Sequence, residues 1–158
     1  MWLALLGKLN TKEMLYKKGL LSANQTSCTF CGSHSESLDH VLLHCPFSWR
    51  VWNSIADDLG QKLVSHSTFK QFYNACLSVQ WRSKGLKKIW ISTLFAVSWR
   101  LWMVRNELIF QRKELNLAEV CHSIRWRVAE WTRAWKDQPP YKVDDLARNF
   151  STIPAIMQ

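Results

Sequence analysis

Three cysteines and one histidine within 18 residues form the clearest chemical pattern in the sequence. Their spacing is Cys28-x2-Cys31-x8-His40-x4-Cys45. Two cysteines separated by two residues can place both sulfurs on one ion, and Gly32 lets the backbone fold over that ion without a Cβ clash. Thiolate and imidazole are the ligands that tetrahedral structural zinc prefers. The pattern therefore predicts one structural Zn²⁺ ion held by these four side chains.

Other residues near the pattern leave some alternatives open. His34 lies too close to Cys31 in the sequence to reach back easily, whereas His44, beside Cys45, remains the reserve for the third ligand. Glu36 and Asp39 are expected to support the ligands or a helix N-terminus. The other two cysteines fall on apolar helical stripes and are predicted to be core residues. They are Cys76 and Cys121.

Four protein ligands leave no open position for water or substrate, so we expect a structural ion rather than a catalytic one. The sequence contains no phosphate-binding loop and no convincing nucleophile–base pair, and His66 and His122 are isolated. We therefore predict no catalytic residues and no enzymatic activity. The clustering and odd number of cysteines argue against a disulfide framework and favour a reducing compartment.

The elements that must position the ligands are predicted to be helices, because apolar residues recur at helical spacing and no segment alternates with a period of two. The predicted helices cover 2–19 in two pieces, 38–44, 46–59, 69–79, 86–112, and a last helix from 117 that ends at Pro139-Pro140. The fold class is therefore mostly α, with a small zinc-stabilised knuckle-plus-helix element joined to a tryptophan-rich helical bundle. We expect a zinc-binding module over 1–60, a helical region over 61–137 and a loose C-terminal tail over 138–158.

The chain is basic, with a net charge of +9 and a pI of about 9.6. Such charge attracts nucleic acid, although lysine and arginine also simply solvate helix faces. Most of the excess lies in residues 81–113, with a second group in residues 8–18. The candidate nucleic-acid-binding residues are Lys12, Lys17, Lys18, Phe30, Arg82, Lys84, Lys87 and Lys88. Trp81 and Trp126 are further aromatic candidates for base stacking.

Residues 9–52 resemble the reverse-transcriptase zinc-binding domain of plant non-LTR (LINE-type) retrotransposons. The matching features are the Cys28-x2-Cys31-Gly32 knuckle, Asp39-His40, and His44-Cys45-Pro46-Phe47 followed by Val51-Trp52. Residues 98–113 are similar to the helical region between that domain and an RNase H domain, which carries a Trp, an Arg-Asn pair and an Ile-Phe ending. The resemblance implies the same four zinc ligands.

The resemblance also implies a function, namely a non-catalytic zinc-binding module of a retroelement polyprotein that binds RNA or DNA without sequence specificity. The reverse transcriptase and RNase H neighbours are absent from this chain, so we expect it to be a fragment. A structural or protein-interaction zinc module and a degenerate transposon remnant are the alternatives. We expect an intracellular location, nucleus or cytoplasm. We also expect no membrane partner, since the longest apolar stretch, 89–104, is interrupted by Arg100 and is shorter than the ~20 residues of a spanning helix.

Overall fold

The computed structural model describes residues 2–136, 139 and 141–157. It contains eight α-helices over that part of the chain and no strand beyond an isolated antiparallel bridge between Ser27 and Ser35. The helices are α1 (Trp2–Leu5), α2 (Lys12–Lys17), α3 (Pro46–Asp58), α4 (Phe69–Leu77), α5 (Lys84–Gln111), α6 (Leu117–Thr132), α7 (Val143–Arg148) and α8 (Ile153–Ile156). Three shorter helical turns cover Ala23–Gln25, His40–His44 and Phe150–Thr152. The predicted fold class is confirmed.

Side-chain caps and glycines set the helix ends at the predicted places. The side chain of Thr11 accepts a hydrogen bond from the N–H of Met14 at the start of α2, and Asn116 accepts from Glu119 at the start of α6. Gly19, which follows α2, has a φ of +71°, a left-handed conformation that favours glycine. These boundaries are therefore set by residues only a few positions from each helix end.

The long helix α5 and the antiparallel helix α6 form the centre of the bundle, and α3 and α4 pack against them. The predicted apolar stripe of α5 is buried over most of its length. Its buried members are Leu86, Ile89, Trp90, Thr93, Leu94, Val97, Leu101 and Val104. The first helix after the cysteine–histidine segment, α3, shares this core through Val51, Trp52 and Ile55. The zinc-binding segment and the helical region are thus packed on one another, while the predicted boundary at residue 60 stays a prediction.

The expectation of a loose C-terminal tail is wrong for the residues that the structure describes. Helix α7 packs against α6, and Leu146, Phe150 and Ile153 are buried in the common core. These residues are four and three positions apart, the spacing of one helical face, but they lie in helical pieces of six, three and four residues, too short for a helical period to be recognised. Residues 138, 140 and 158 of the predicted tail lie outside the described residues. Helix α6 also ends at Thr132, before the predicted stop.

None of the described helices combines the length and the apolar character needed to span a membrane.

The packing of the C-terminal segment can be tested with one substitution made at two phenylalanines. Phe150→Ala is expected to lower the free energy of unfolding by about 3–5 kcal/mol, because the buried ring leaves a cavity. The same change at Phe110, whose side chain is 78% exposed, should cost no more than about 0.5 kcal/mol. Urea denaturation of both variants measures the difference. Equal, small losses would mean that the segment does not pack on the bundle.

Candidate metal centre

The four predicted ligands lie together at one point. Their ligand atoms are all within 4.8 Å of one another. The Sγ atoms of Cys28 and Cys45 are 3.9 Å apart, and Cys31 Sγ lies 3.4 Å from Nε2 of His40. Tetrahedral coordination with ordinary zinc bond lengths places two sulfurs about 3.8 Å apart and a sulfur and a nitrogen about 3.6 Å apart. The side chains therefore form a site that fits a single zinc ion.

A tight turn positions the first pair of ligands. The N–H of Cys28 donates to the carbonyl of His34 at 2.7 Å, and the N–H of Gly32 donates back to the carbonyl of Cys28 at 2.8 Å. Gly32 has a φ of +67°, a left-handed conformation that favours glycine, and no atom of the described chain lies within 4 Å of a Cβ added there, so the expected Cβ clash is not the reason for glycine. The turn points both cysteine sulfurs to the same side of the backbone.

A wide helical turn positions the second pair. The predicted short helix over 38–44 is found as a π-helical turn over His40–His44, in which the N–H of Cys45 donates to the carbonyl of His40 at 2.7 Å. Such a turn leaves carbonyl groups without their usual partners. Ser48 Oγ donates to the carbonyl of Val41 at 2.6 Å, and Trp52 Nε1 donates to that of Leu42 at 2.7 Å. Helix α3 therefore stabilises the turn that presents His40 and Cys45.

Burial and close contact disfavour two thiolates at Cys28 and Cys45. The hydrogen bond from Cys45 lowers the pKa of Cys28 to about 5 against burial, which acts in the opposite direction. The pKa of Cys45 is raised, because its thiol proton is hydrogen-bonded to Cys28 and burial disfavours a second negative charge. A divalent ion removes this conflict, since thiols that coordinate a metal are deprotonated.

The remaining histidines lie outside the ligand set. The exposed His34 stacks on the ring of His40 with centroids 5.1 Å apart, and its Nδ1 lies 4.0 Å from Cys31 Sγ. The reserve ligand His44 is exposed, and its Nε2 lies 2.8 Å from the carbonyl oxygen of His66. Neither is therefore required to complete the site.

A buried carboxylate next to the metal centre connects it to the long helix. Glu36 is completely buried, and both of its oxygens accept hydrogen bonds. Oε1 accepts from the backbone N–H of Lys12 at 3.1 Å and from Nε and Nη2 of Arg105 at 3.0 and 2.6 Å. Oε2 accepts from the N–H and the hydroxyl of Thr29, the residue after Cys28. One side chain thus joins α2, the first cysteine pair and α5.

The partner of Glu36 is equally buried. Arg105, 4% exposed, lies over the ring of Trp102 with its guanidinium carbon 4.8 Å from the ring centroid. Burial, the largest influence, would raise the pKa of Glu36, but hydrogen bonds from Arg105 and Thr29 hold it below its ordinary value. In the sequence, Arg105 belongs to the basic excess and to the Arg-Asn pair of the resemblance, and neither indicates a pairing with Glu36. The partners are 69 positions apart in the sequence, so no local signal indicates their pairing.

Asp39 makes a second connection of the same kind. Its Oδ1 accepts a hydrogen bond of 2.7 Å from the backbone N–H of Phe69, the first residue of α4. Glu36 likewise accepts from Lys12, the first residue of α2. Of the two roles predicted for these acids, binding at a helix N-terminus is the one found, and in each case the helix is distant in the sequence, by 24 and 30 positions.

The candidate nucleic-acid residues of the N-terminal segment already have partners within the chain. Lys12 Nζ donates to the carbonyl of Ser27 at 2.8 Å, and Lys17 forms an ion pair with Glu13 on the same helix. Lys18 donates to Asn10, and the half-buried ring of Phe30 packs on Phe47 with centroids 5.0 Å apart.

The second candidate group surrounds the start of α5. Arg82, Lys84 and Lys87 are exposed there, and the first turn of the helix contains no acidic residue. Lys88 is also exposed, and its Nζ lies 5.5 Å from the ring centroid of Trp135. The structure therefore separates the predicted contacts into two places, of which only the second presents a concentrated positive surface. Their contact with nucleic acid stays a prediction.

Comparison with known proteins gives one match. A family model described as zinc-binding in reverse transcriptase matches residues 1–52, about a third of the chain, and these residues include all four ligands. No curated protein and no solved structure gives a significant match. The match and the geometry together support a zinc-binding module at the N-terminus of this chain.

Zinc content should depend on the four ligands and on no other cysteine. Elemental analysis of the purified chain is expected to give one zinc per molecule, falling nearly to zero in Cys28→Ser and Cys45→Ser, because a tetrahedral site lacks a ligand in either variant. Cys76→Ser and Cys121→Ser are matched controls, since both thiols are buried outside the site. Loss of zinc in the controls while a ligand variant kept it would contradict the assignment.

Removing the charge on Glu36 should destabilise the chain strongly. Glu36→Gln is expected to cost about 3–5 kcal/mol in unfolding free energy, because it leaves the guanidinium of Arg105 buried without its counter-ion. Glu13→Gln, in an exposed pair with Lys17, should cost no more than about 0.5 kcal/mol. The double variant Glu36→Gln/Arg105→Met should cost less than the sum of the single changes.

The pH dependence follows from the lowered pKa of Glu36. The stability that its charge contributes is complete above the unfolded-state pKa of about 4.3 and is lost as the pH falls through the lower folded-state pKa. The gap in unfolding free energy between the wild type and Glu36→Gln should therefore shrink on acidification. A gap that is constant with pH, or additive costs in the double variant, would contradict the ion pair.

Proposed function

We propose that this chain is the zinc-binding module of a retroelement reverse-transcriptase polyprotein of the plant LINE type, and that it binds RNA or DNA without sequence specificity. The observation that carries the proposal is the four-ligand site inside the segment matched by the reverse-transcriptase family model. The expected neighbours are a polymerase and an RNase H domain. The expected location is the nucleus or the cytoplasm.

The ligand set supports a non-catalytic role. Three cysteines and one histidine complete a tetrahedron, so a zinc ion held by them has no position for an activated water. Cys28, His40 and Cys45 are buried, which favours an ion that holds backbone segments together over one that meets a substrate.

The charge distribution supports binding to nucleic acid. The net charge of +9 would neutralise phosphates, and the exposed cations at the start of α5 concentrate part of it on one surface. Contacts to phosphate carry no sequence information, so the expected binding tolerates any sequence and weakens with salt. RNA and DNA offer the same backbone charge to such a surface.

The buried ion pair supports treating the downstream segment as part of the same module. The Arg-Asn pair in the resemblance of residues 98–113 corresponds to Arg105 and Asn106, and Arg105 Nη1 also donates to Asn106 Oδ1 at 3.0 Å. Asn106 thus helps to orient Arg105, which binds Glu36 beside the first cysteine pair. This contact gives a physical reason for the Arg-Asn pair to occur together with the zinc-binding segment.

A structural or protein-interaction module is the second candidate. It is favoured by the lysines of α2, which bind carbonyl, carboxylate and amide oxygens of the chain itself. In this case the zinc ion fixes the N-terminal segment on the bundle and the charge is incidental. A degenerate remnant would share this behaviour.

Binding of the zinc-loaded chain to fluorescent single-stranded RNA, single-stranded DNA and duplex DNA distinguishes the candidates. The wild type is expected to bind at least about tenfold more tightly than an unrelated protein of equal net charge, with log Kd rising linearly with log salt concentration. The double variant Cys28→Ser/Cys45→Ser should lose this margin, because the segment that holds the ligands loses its order.

If the wild type, the double variant and the charge-matched protein bind alike, and only at low salt, the positive charge is incidental. The structural candidate then stands.

A further inference from the structure

The α5–α6 hairpin has an outer face on which aromatic and cationic side chains meet in pairs. Phe95 of α5 contacts Trp131 of α6 with ring centroids 5.5 Å apart, and the guanidinium carbon of Arg127 lies 4.8 Å from the centroid of Trp99. Lys88 over Trp135 continues the series toward the start of α5. Phe95 remains 37% exposed, and Arg127 is exposed on the same face.

A shallow cleft opens on this face. It is open to solvent and is formed only by side chains of α6, namely Ser123, Trp126, Arg127, Glu130 and Trp131. Both indole rings are half-buried, so each is held by packing while part of its surface faces the cleft.

Arg127 is the side chain that indicates an anionic ligand. Its guanidinium is exposed and stacked on Trp99, and no carboxylate of the described residues pairs with it. A guanidinium beside an aromatic ring still has N–H donors that can bind phosphate in a bidentate manner. Arg105 differs in this respect, because its buried guanidinium is paired with the Glu36 carboxylate.

Charge along the face has one predominant sign. Residues 123–136 contain four cations and one acidic residue, and Arg127, Arg133 and Lys136 are exposed. Arg125, the fourth cation, faces Asp58 at 2.8 Å on the other side of the helix. A polyanion therefore complements this face better than a neutral or basic protein surface does.

We infer that the cleft between Trp126 and Trp131 binds single-stranded nucleic acid, with a base stacked on an indole and a phosphate held by Arg127. This inference rests on the proposed function and adds the surface and the strand state. Aromatic side chains can stack only on bases that are not already stacked in a duplex, so single strands are the expected ligand. The candidates selected from the sequence at α2 lie elsewhere on the molecule.

The test compares two exposed arginines. Arg127→Gln and Arg50→Gln remove the same charge from exposed helix positions, on α6 and α3 respectively. Binding of the zinc-loaded full chain to fluorescein-labelled (dT)12 and (U)12 is measured by anisotropy over a range of salt. Arg127→Gln should weaken binding about fivefold and reduce the salt slope by about one, whereas Arg50→Gln should change Kd less than twofold.

A second variant tests stacking. Trp126→Leu keeps an apolar side chain against the core, and a thermal unfolding curve serves as the control that the variant folds. This variant should weaken single-strand binding about tenfold. A duplex of equal phosphate number should bind more weakly than the single strands. Equal effects of the two arginine variants, or a preference for duplex, would overturn this inference and leave the proposed function standing. No binding above the charge-matched protein would overturn both and favour a protein ligand for this face.

Discussion

The structure depends on one carboxylate that has been removed from water. A buried charge without compensation costs several kcal/mol, so the Glu36 carboxylate requires every donor that surrounds it. Those donors come from Lys12, Thr29 and Arg105, which are widely separated in the sequence. The chain can satisfy Glu36 only when α2, the first cysteine pair and α5 have all reached their final positions. This requirement makes the zinc-binding segment a part of the bundle.

The metal site is the second feature that fixes the fold. It orders a segment that has few buried apolar side chains of its own. Between Ser22 and Leu38 the backbone forms turns and a single bridge, and only Cys28 and Glu36 are buried. Zinc would supply there the free energy that hydrophobic burial supplies elsewhere. The following turn is different, because Val41, Leu42 and Leu43 are fully buried. The second ligand pair is therefore supported by the bundle core, while the first is supported by Glu36.

The parts that the sequence predicts are those set by local chemistry. The ligand spacing identified the metal site, and caps such as Thr11 and Asn116 located helix starts, because each depends on residues only a few positions apart. The pair of Glu36 with Arg105 could not be found in this way, since nothing near either residue indicates the other. Phe150 and Ile153 did have a helical spacing, but they lie in helical pieces of three and four residues, too short for a period to be recognised.

Coupling between the metal site and the long helix can be measured by hydrogen exchange. Amide exchange would be followed by mass spectrometry in the zinc-loaded chain and after a chelator has removed the ion. We expect lost protection in 26–45 and also in α5 around Arg105, with α6 and α7 less affected. If 26–45 lost its protection and the amides near Arg105 kept theirs, the two parts would be independent, and the role assigned to Glu36 would be wrong.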